Sequence, residues 1–182
     1  KVSATDPSIT SLIVKEPIGV VAGVVPWNFP LMMAVWKAAP ALAAGCSVII
    51  KPAEDTPLSA LRIAQIASEA GIPDGVFNVL PGFGDVGEAL GRHNDVDAVS
   101  FTGSTEVGGL FMKYSGESNL KTIGLEMGGK SPFLVLEDAK INDALIDNAI
   151  NSAFWNGGQN CSANMRQIIH NKVKDEFLDK VL

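Results

Sequence analysis

Short apolar runs alternate with helical patterns along almost the whole chain, and this alternation restricts the fold more than any other feature of the sequence. IGVVAGVV, CSVIIKP, VFNVLPG and AVSFTG are strand-sized, and CSVIIKP is a continuous apolar run of the kind covered on both faces of a parallel sheet. Between them lie helical patterns. LMMAVWKAAPALAAG is expected to break at Pro40 and end at Gly45; PLSALRIAQIASEAG to take its cap from the Thr56 hydroxyl, with Pro57 in the first turn and Gly71 at the end; GDVGEALGRH follows, then a helix from Ser104. SLIVKE (11–16) reads as a further strand. TIGLEMGG and SPFLVLE read as extended chain, INDALIDNAINSAFW as an amphipathic helix and NMRQIIH as a strand. Repeated β-α-β units predict an α/β, doubly wound parallel sheet, with its ligands beyond the carboxyl ends of the strands.

Composition removes several function classes. The 182 residues carry a net charge of −6 with no basic block, so nucleic acid and anionic membrane surfaces are poor partners. No apolar run reaches the length of a membrane span. Two cysteines make no disulfide framework, which points to a reducing, cytoplasmic setting. KVSATDPS at the start and DEFLDKVL at the end read as those of an excerpt from a longer soluble protein. No metal is expected.

Each strand end carries a distinctive group. PWNFP holds Asn28 between two prolines, where its amide could donate to a developing oxyanion; a proline-bounded turn is the plainer alternative. Lys51 and Glu54 in KPAE could grip two ribose hydroxyls, a carboxylate there disfavouring a 2′-phosphate, or form an ordinary solvated pair. Gly103 in TGSTEVG permits a tight turn into a helix start able to face a pyrophosphate, though the stretch is not a GxGxxG fingerprint. Glu126 in LEMGGK could be a general base if burial lifts its carboxyl, or simply solvated. Cys161, in WNGGQNCSAN, is a candidate nucleophile or a buried packing thiol, whereas Cys46 at the head of an apolar strand reads as packing. His93 and His170 sit in polar surroundings, and neither is near Cys161 in sequence.

PWNFP, KPAEDTP, FTGSTEVG, LEMGGKSP and GGQNCSA, in this order, resemble the aldehyde dehydrogenase superfamily, from about EPIGVV to the end. The resemblance implies a Rossmann-like dinucleotide-binding domain over 18–127, the beginning of an α/β catalytic domain over 128–182, and an oligomerisation strand within 1–17. It makes Cys161 the nucleophile that forms a thiohemiacetal and then a thioester, Asn28 and the Cys161 backbone N–H the oxyanion donors, Glu126 the base for the hydrolytic water, and Lys37 a residue implicated in proton movement. Pro26, Trp27, Lys51, Glu54, Gly84, Phe101, Gly103, Ser104 and Val107 match cofactor contacts, with NAD expected over NADP because of Glu54. Phe29, Trp36 and Trp155 match the substrate tunnel, where aromatic rings would suit an ω-aminoaldehyde through cation–π attraction or simply shape an apolar channel. The glycines before Cys161 would keep the space for aldehyde and nicotinamide clear. A homo-oligomer is implied for the intact protein. The alternatives are a CoA-acylating semialdehyde dehydrogenase, against which Glu126 argues, and a non-catalytic nucleotide-binding or structural piece.

Overall fold

The computed structural model describes residues 8–182. By its internal contacts the chain divides into two units, one of residues 8–102 and 106–126 and the other of residues 103–105 and 127–182.

The first unit is built on a five-stranded sheet. Its elements in chain order are β1 (Val20–Val24), α1 (Pro30–Ala43), β2 (Ser47–Lys51), α2 (Leu58–Glu69), β3 (Phe77–Val79), α3 (Gly84–Arg92), β4 (Ala98–Gly103), α4 (Thr105–Gly116) and β5 (Thr122–Met127). The strand order is β3-β2-β1-β4-β5, and β1 runs parallel to both β2 and β4. The chain therefore winds outward from β1 in one direction through β3, then crosses back to lay β4 on the other side, so the order reverses between β1 and β4. Helices cover both faces. On one, Val48 and Ile50 of β2 pack under Met33, Ala34 and Ala38 of α1 and Ala60 of α2. On the other, Phe101 of β4 meets Phe111 of α4 with ring centroids 5.1 Å apart. This is the doubly wound α/β sheet that the alternating runs predict.

Three local readings are corrected. α1 does not break at Pro40 but runs through it to Ala43. Pro40 lies on the exposed face of the helix, where water can serve the Trp36 carbonyl that loses its amide partner. α2 has no hydroxyl cap: Pro57 takes the N-cap place with no side-chain bond, and the Thr56 hydroxyl is buried without a hydrogen-bond partner among the described residues. SLIVKE is not a strand. Ser11 makes an isolated bridge and residues 12–18 join no ladder, with Leu12, Ile13 and Val14 exposed. Its β-branched composition suits a strand, but no neighbouring strand among the described residues offers the backbone partners a ladder requires. The expected oligomerisation segment falls partly on residues 1–7, outside the described residues.

The second unit contains one β-α-β turn of the same design. β6 (Pro132–Val135) pairs in parallel with β7 (Arg166–Ile169), and the crossover between them carries α5 (Asp143–Phe154); α6 (Lys174–Val181) follows β7. Asn142 caps α5 by accepting from the Leu145 amide at 3.0 Å. Val135, Ile141, Ile146, Ala149 and Phe177 form the core of this unit.

Gly23 is a point of close approach within the sheet. A Cβ there would stand 2.6 Å from Ile50 Cδ1 and 3.2 Å from Lys37 Cβ, so the missing side chain lets α1 lie close over β1. Gly23→Ala should therefore lower the unfolding free energy of the intact protein by about 1–3 kcal/mol, read as a lower urea midpoint at unchanged slope. An unchanged midpoint would show that this close approach does not matter.

Candidate functional site

Strand register decides which groups meet at the sheet edge. Val24, the last residue of β1, is level with Lys51 on β2 and Phe101 on β4. Because the strands are parallel, their ends lie on the same side: Val25 to Asn28 follow β1, Pro52 to Glu54 follow β2, and Thr102 is one residue past that level within β4. The Val25 amide bonds the Lys51 carbonyl at 3.1 Å and extends the pairing one step past the strand. Asn28, half-buried, lies in the short link between β1 and α1 with half-buried Pro26 and exposed Trp27. Loops diverge where the strand order reverses, which leaves a crevice at such a point.

Lys51 and Glu54 come together as expected. Lys51 is buried, and its Nζ donates to the Pro52 carbonyl at 3.2 Å and reaches Glu54 Oε2 at 3.5 Å. The Glu54 carboxyl is exposed and held below its ordinary carboxylate value, first by its own backbone amide and then by Lys51. A buried ammonium beside an outward carboxylate offers a donor and an acceptor at neighbouring points, which fits the vicinal hydroxyls of a ribose. Gly84 opens α3, with nothing within 4 Å of where its Cβ would stand, so that helix start is open to an approaching group. Ser104 is exposed after β4, and Val107 is exposed in α4.

The Phe101 ring does not belong to this edge. It is 3% exposed and packed on Phe111, so only its backbone is available to a ligand. Phe29 is half-buried against the core beneath α1, whereas Trp36 stands exposed on the outer side of that helix.

Lys37 occupies the buried stripe of α1 with Met33, Ala34 and Ala38 and crosses Gly23 to reach β4, where its Nζ donates to Ser100 Oγ at 3.0 Å. Burial lowers its pKa from 10.5 to about 8, partly offset by the charge of Glu126. Glu126 lies on β5 and is exposed, so the burial that a general base there calls for is not supplied by the described residues. Sequence reasoning missed Ser100 and Gly23; the signal available was a glycine inside an apolar parallel strand.

In the second unit the loop between α5 and β7 presents Cys161. Asn156, Gly157 and Gly158 all have positive φ, at 55°, 66° and 76°, so the glycines meet a conformational need of their own. The Asn156 side chain donates to the Gln159 carbonyl at 3.2 Å, and the Asn164 amide bonds the Ser152 carbonyl of α5 at 3.0 Å, closing the loop back on its helix. Ala163 is buried as its anchor while Cys161 is exposed. Asn160 Oδ1 accepts from the Cys161 thiol at 3.9 Å and from the Ser162 hydroxyl at 3.0 Å. Cys46, by contrast, is buried. Trp155 stands 56% exposed at the start of the loop. A cavity of about 420 Å³ is lined by Ala149, Phe154, Ala163 and Phe177 among others, but not by Trp155 or Cys161. His93 and His170 each accept a backbone amide two residues on, as turn residues do. Among the described residues no helix is long and apolar enough to cross a membrane, and no three potential ligands are grouped to hold a metal ion.

The lowered Lys37 pKa fixes a sign for stability against pH. Below about pH 8 the amine is charged in both folded and unfolded chains, and burial costs roughly 3 kcal/mol, the shift from 10.5 to about 8 at 1.36 kcal/mol per unit. Between those values the unfolded chain binds more protons, so stability rises with pH. Urea unfolding of the intact protein against Lys37→Met should show wild type gaining on the variant from about pH 8 upward. A difference that stays flat with pH would contradict the burial.

Comparison with known proteins accords with this geometry. Aminoacetaldehyde dehydrogenase of Pseudomonas aeruginosa is 57% identical over 172 residues, covering 94% of this chain and 35% of that protein. The NADP/NAD-dependent aldehyde dehydrogenase PuuC of Escherichia coli is 49% identical, covering 98% of this chain and 36% of its own length. Among solved structures, gamma-glutamyl-gamma-aminobutyraldehyde dehydrogenase from Burkholderia cenocepacia superposes with a TM-score of 0.88 at 54% identity, over 91% of this chain and 34% of that one. Indole-3-acetaldehyde dehydrogenase AldA of P. syringae, solved with NAD+ and IAA, gives 0.87 at 53% identity, over 91% and 34%. The chain thus spans about a third of the length of these relatives. The aldehyde dehydrogenase family profile matches residues 1–182, and the chain belongs to that family.

Proposed function

We propose that this chain is the nucleotide-binding and thiol-bearing part of an NAD-dependent enzyme that oxidises an aldehyde to a carboxylic acid. The observation that carries the reading is the contrast between its two thiols: Cys46 is buried just before β2, whereas Cys161 is held exposed on a closed loop. The Cys161 sulfur, as thiolate, adds to the carbonyl carbon and forms a thiohemiacetal. Its oxyanion takes hydrogen bonds from the Asn28 amide and the Cys161 backbone N–H, donors of the kind that stabilise a developing negative charge. NAD, when bound, would supply the acceptor for the hydride that this carbon loses as the Cys161 thioester forms. Glu126 then takes a proton from water as it attacks the thioester, releasing the acid and the Cys161 sulfur. Lys37, with a proton affinity near working pH, serves proton movement. Lys51 and Glu54 hold the adenosine ribose, and the Glu54 carboxylate disfavours a 2′-phosphate, so NAD is preferred over NADP. Pro26, Trp27, Gly84, Gly103, Ser104, Val107 and the Phe101 backbone complete the cofactor contacts.

The substrate proposed is an ω-aminoaldehyde. The names of the aminoacetaldehyde and gamma-glutamyl-gamma-aminobutyraldehyde relatives support this class, as does an indole ring at Trp155 exposed at the start of the thiol loop. A cytoplasmic homo-oligomer is the form proposed for the intact protein.

In the intact enzyme, Cys161→Ala should lower kcat with NAD and an aldehyde by at least about 1000-fold while NAD affinity, followed by fluorescence titration, stays within about 2-fold. Retained turnover would overturn the proposal. Trp155→Ala should shrink the kcat/KM preference for cationic over neutral aldehydes by about 2- to 30-fold, the range set by one cation–π contact. An unchanged preference would remove the aminoaldehyde assignment.

A further inference from the structure

Lys37 is the one side chain with a proposed proton role whose holding contact lies on a residue to which no function has been given. Its stem is confined by Gly23, where an added Cβ would come within 3.2 and 3.3 Å of Lys37 Cβ and Cδ. Gly23 is level with Ser100 in the β1–β4 pairing. The amine therefore passes over the gap in β1 and ends on the Ser100 hydroxyl at 3.0 Å. The neighbouring residue Phe101 points to the opposite face, as alternation along a strand requires. The charged group facing the amine is Glu126 of β5; β1 and β4 present Gly23 and Ser100, neither of them charged. We propose that Ser100 is a positioning residue for Lys37, its hydroxyl fixing the amine on the face of β4 so that the proton Lys37 handles is held at one place in the reaction.

A serine hydroxyl suits this task because it both accepts and donates. It accepts from the charged ammonium, and when the amine is neutral its own O–H can turn to donate to the nitrogen lone pair. The contact therefore survives each proton transfer, where a backbone carbonyl would hold the charged form alone. Bonding to the charged form is the stronger of the two, so the hydroxyl also supports the ammonium against the burial that opposes it. The role in the reaction rests on the function proposed above; the bond itself does not.

The test compares urea unfolding of the intact protein across pH for wild type, Ser100→Ala and Ser100→Thr, each with and without Lys37→Met. Wild type should begin to gain stability on Lys37→Met near pH 8. In the Ser100→Ala background that onset should fall by about one pH unit, and Ser100→Thr should restore it. Ser100→Cys, close in size but a weak acceptor, stands in should the alanine variant not fold. The pH limb of kcat governed by Lys37 should move with the onset at unchanged KM. An onset at the same pH in every background overturns the proposal, and so does a kcat limb that stays in place while the onset moves. An intact wild-type protein inert toward aldehydes would overturn the proposed function, while the unfolding series would still decide whether Ser100 holds the amine.

Discussion

The parallel register of β1 against β2 and β4 is the constraint from which the rest of the first unit follows. With Val24 level with both Lys51 and Phe101, the chain leaves three strands on one edge. Asn28 and the Lys51–Glu54 pair are then brought to that edge by the backbone pairing of the strands that precede them. A slip of one residue would turn Ile50, now fully buried under α1, to the other face. The core of Val48, Ile50, Met33 and Ala60 thus holds the register, and the register places the polar groups. Core and site are coupled through the sheet.

Gly23 shows how close that coupling is. Its lack of a side chain lets α1 approach the sheet, and the same gap gives Lys37 a path to β4. A lysine buried in an apolar stripe would ordinarily be a fault in the packing. Here the Ser100 hydroxyl and the charge of Glu126 make its burial tolerable while leaving it easy to deprotonate. The second unit uses a different device. Three consecutive residues in the left-handed region turn the chain at the end of α5, the Asn164–Ser152 bond closes the loop, and Cys161 is left exposed on it.

What could be read in the sequence was set by whether the determinant is local. The apolar runs and helical periods give the order of strands and helices, because period and burial are written in neighbouring residues. Gly71 marks the end of α2 for the same reason: it takes up φ of +89° just beyond the helix. SLIVKE failed because a strand also needs a partner, which composition does not supply. Pro40 failed because its cost depends on which face of α1 it occupies. The place of the Phe101 ring depends on Phe111, and the Lys37–Ser100 bond joins residues 63 apart in sequence. The motifs identify which residues matter; only the packing shows that Phe101 offers its backbone and that Ser100 belongs with Lys37.

The proposed chemistry requires Cys161 to form a covalent acyl bond during aldehyde oxidation. Intact enzyme turning over NAD and an aminoaldehyde, quenched in acid and digested, measures this directly by mass spectrometry. An acyl-group mass increment is expected on the peptide bearing Cys161 alone, removed by hydroxylamine, with the peptide bearing Cys46 unmodified. Turnover to the acid with no increment on Cys161, or with the increment on another residue, would contradict it.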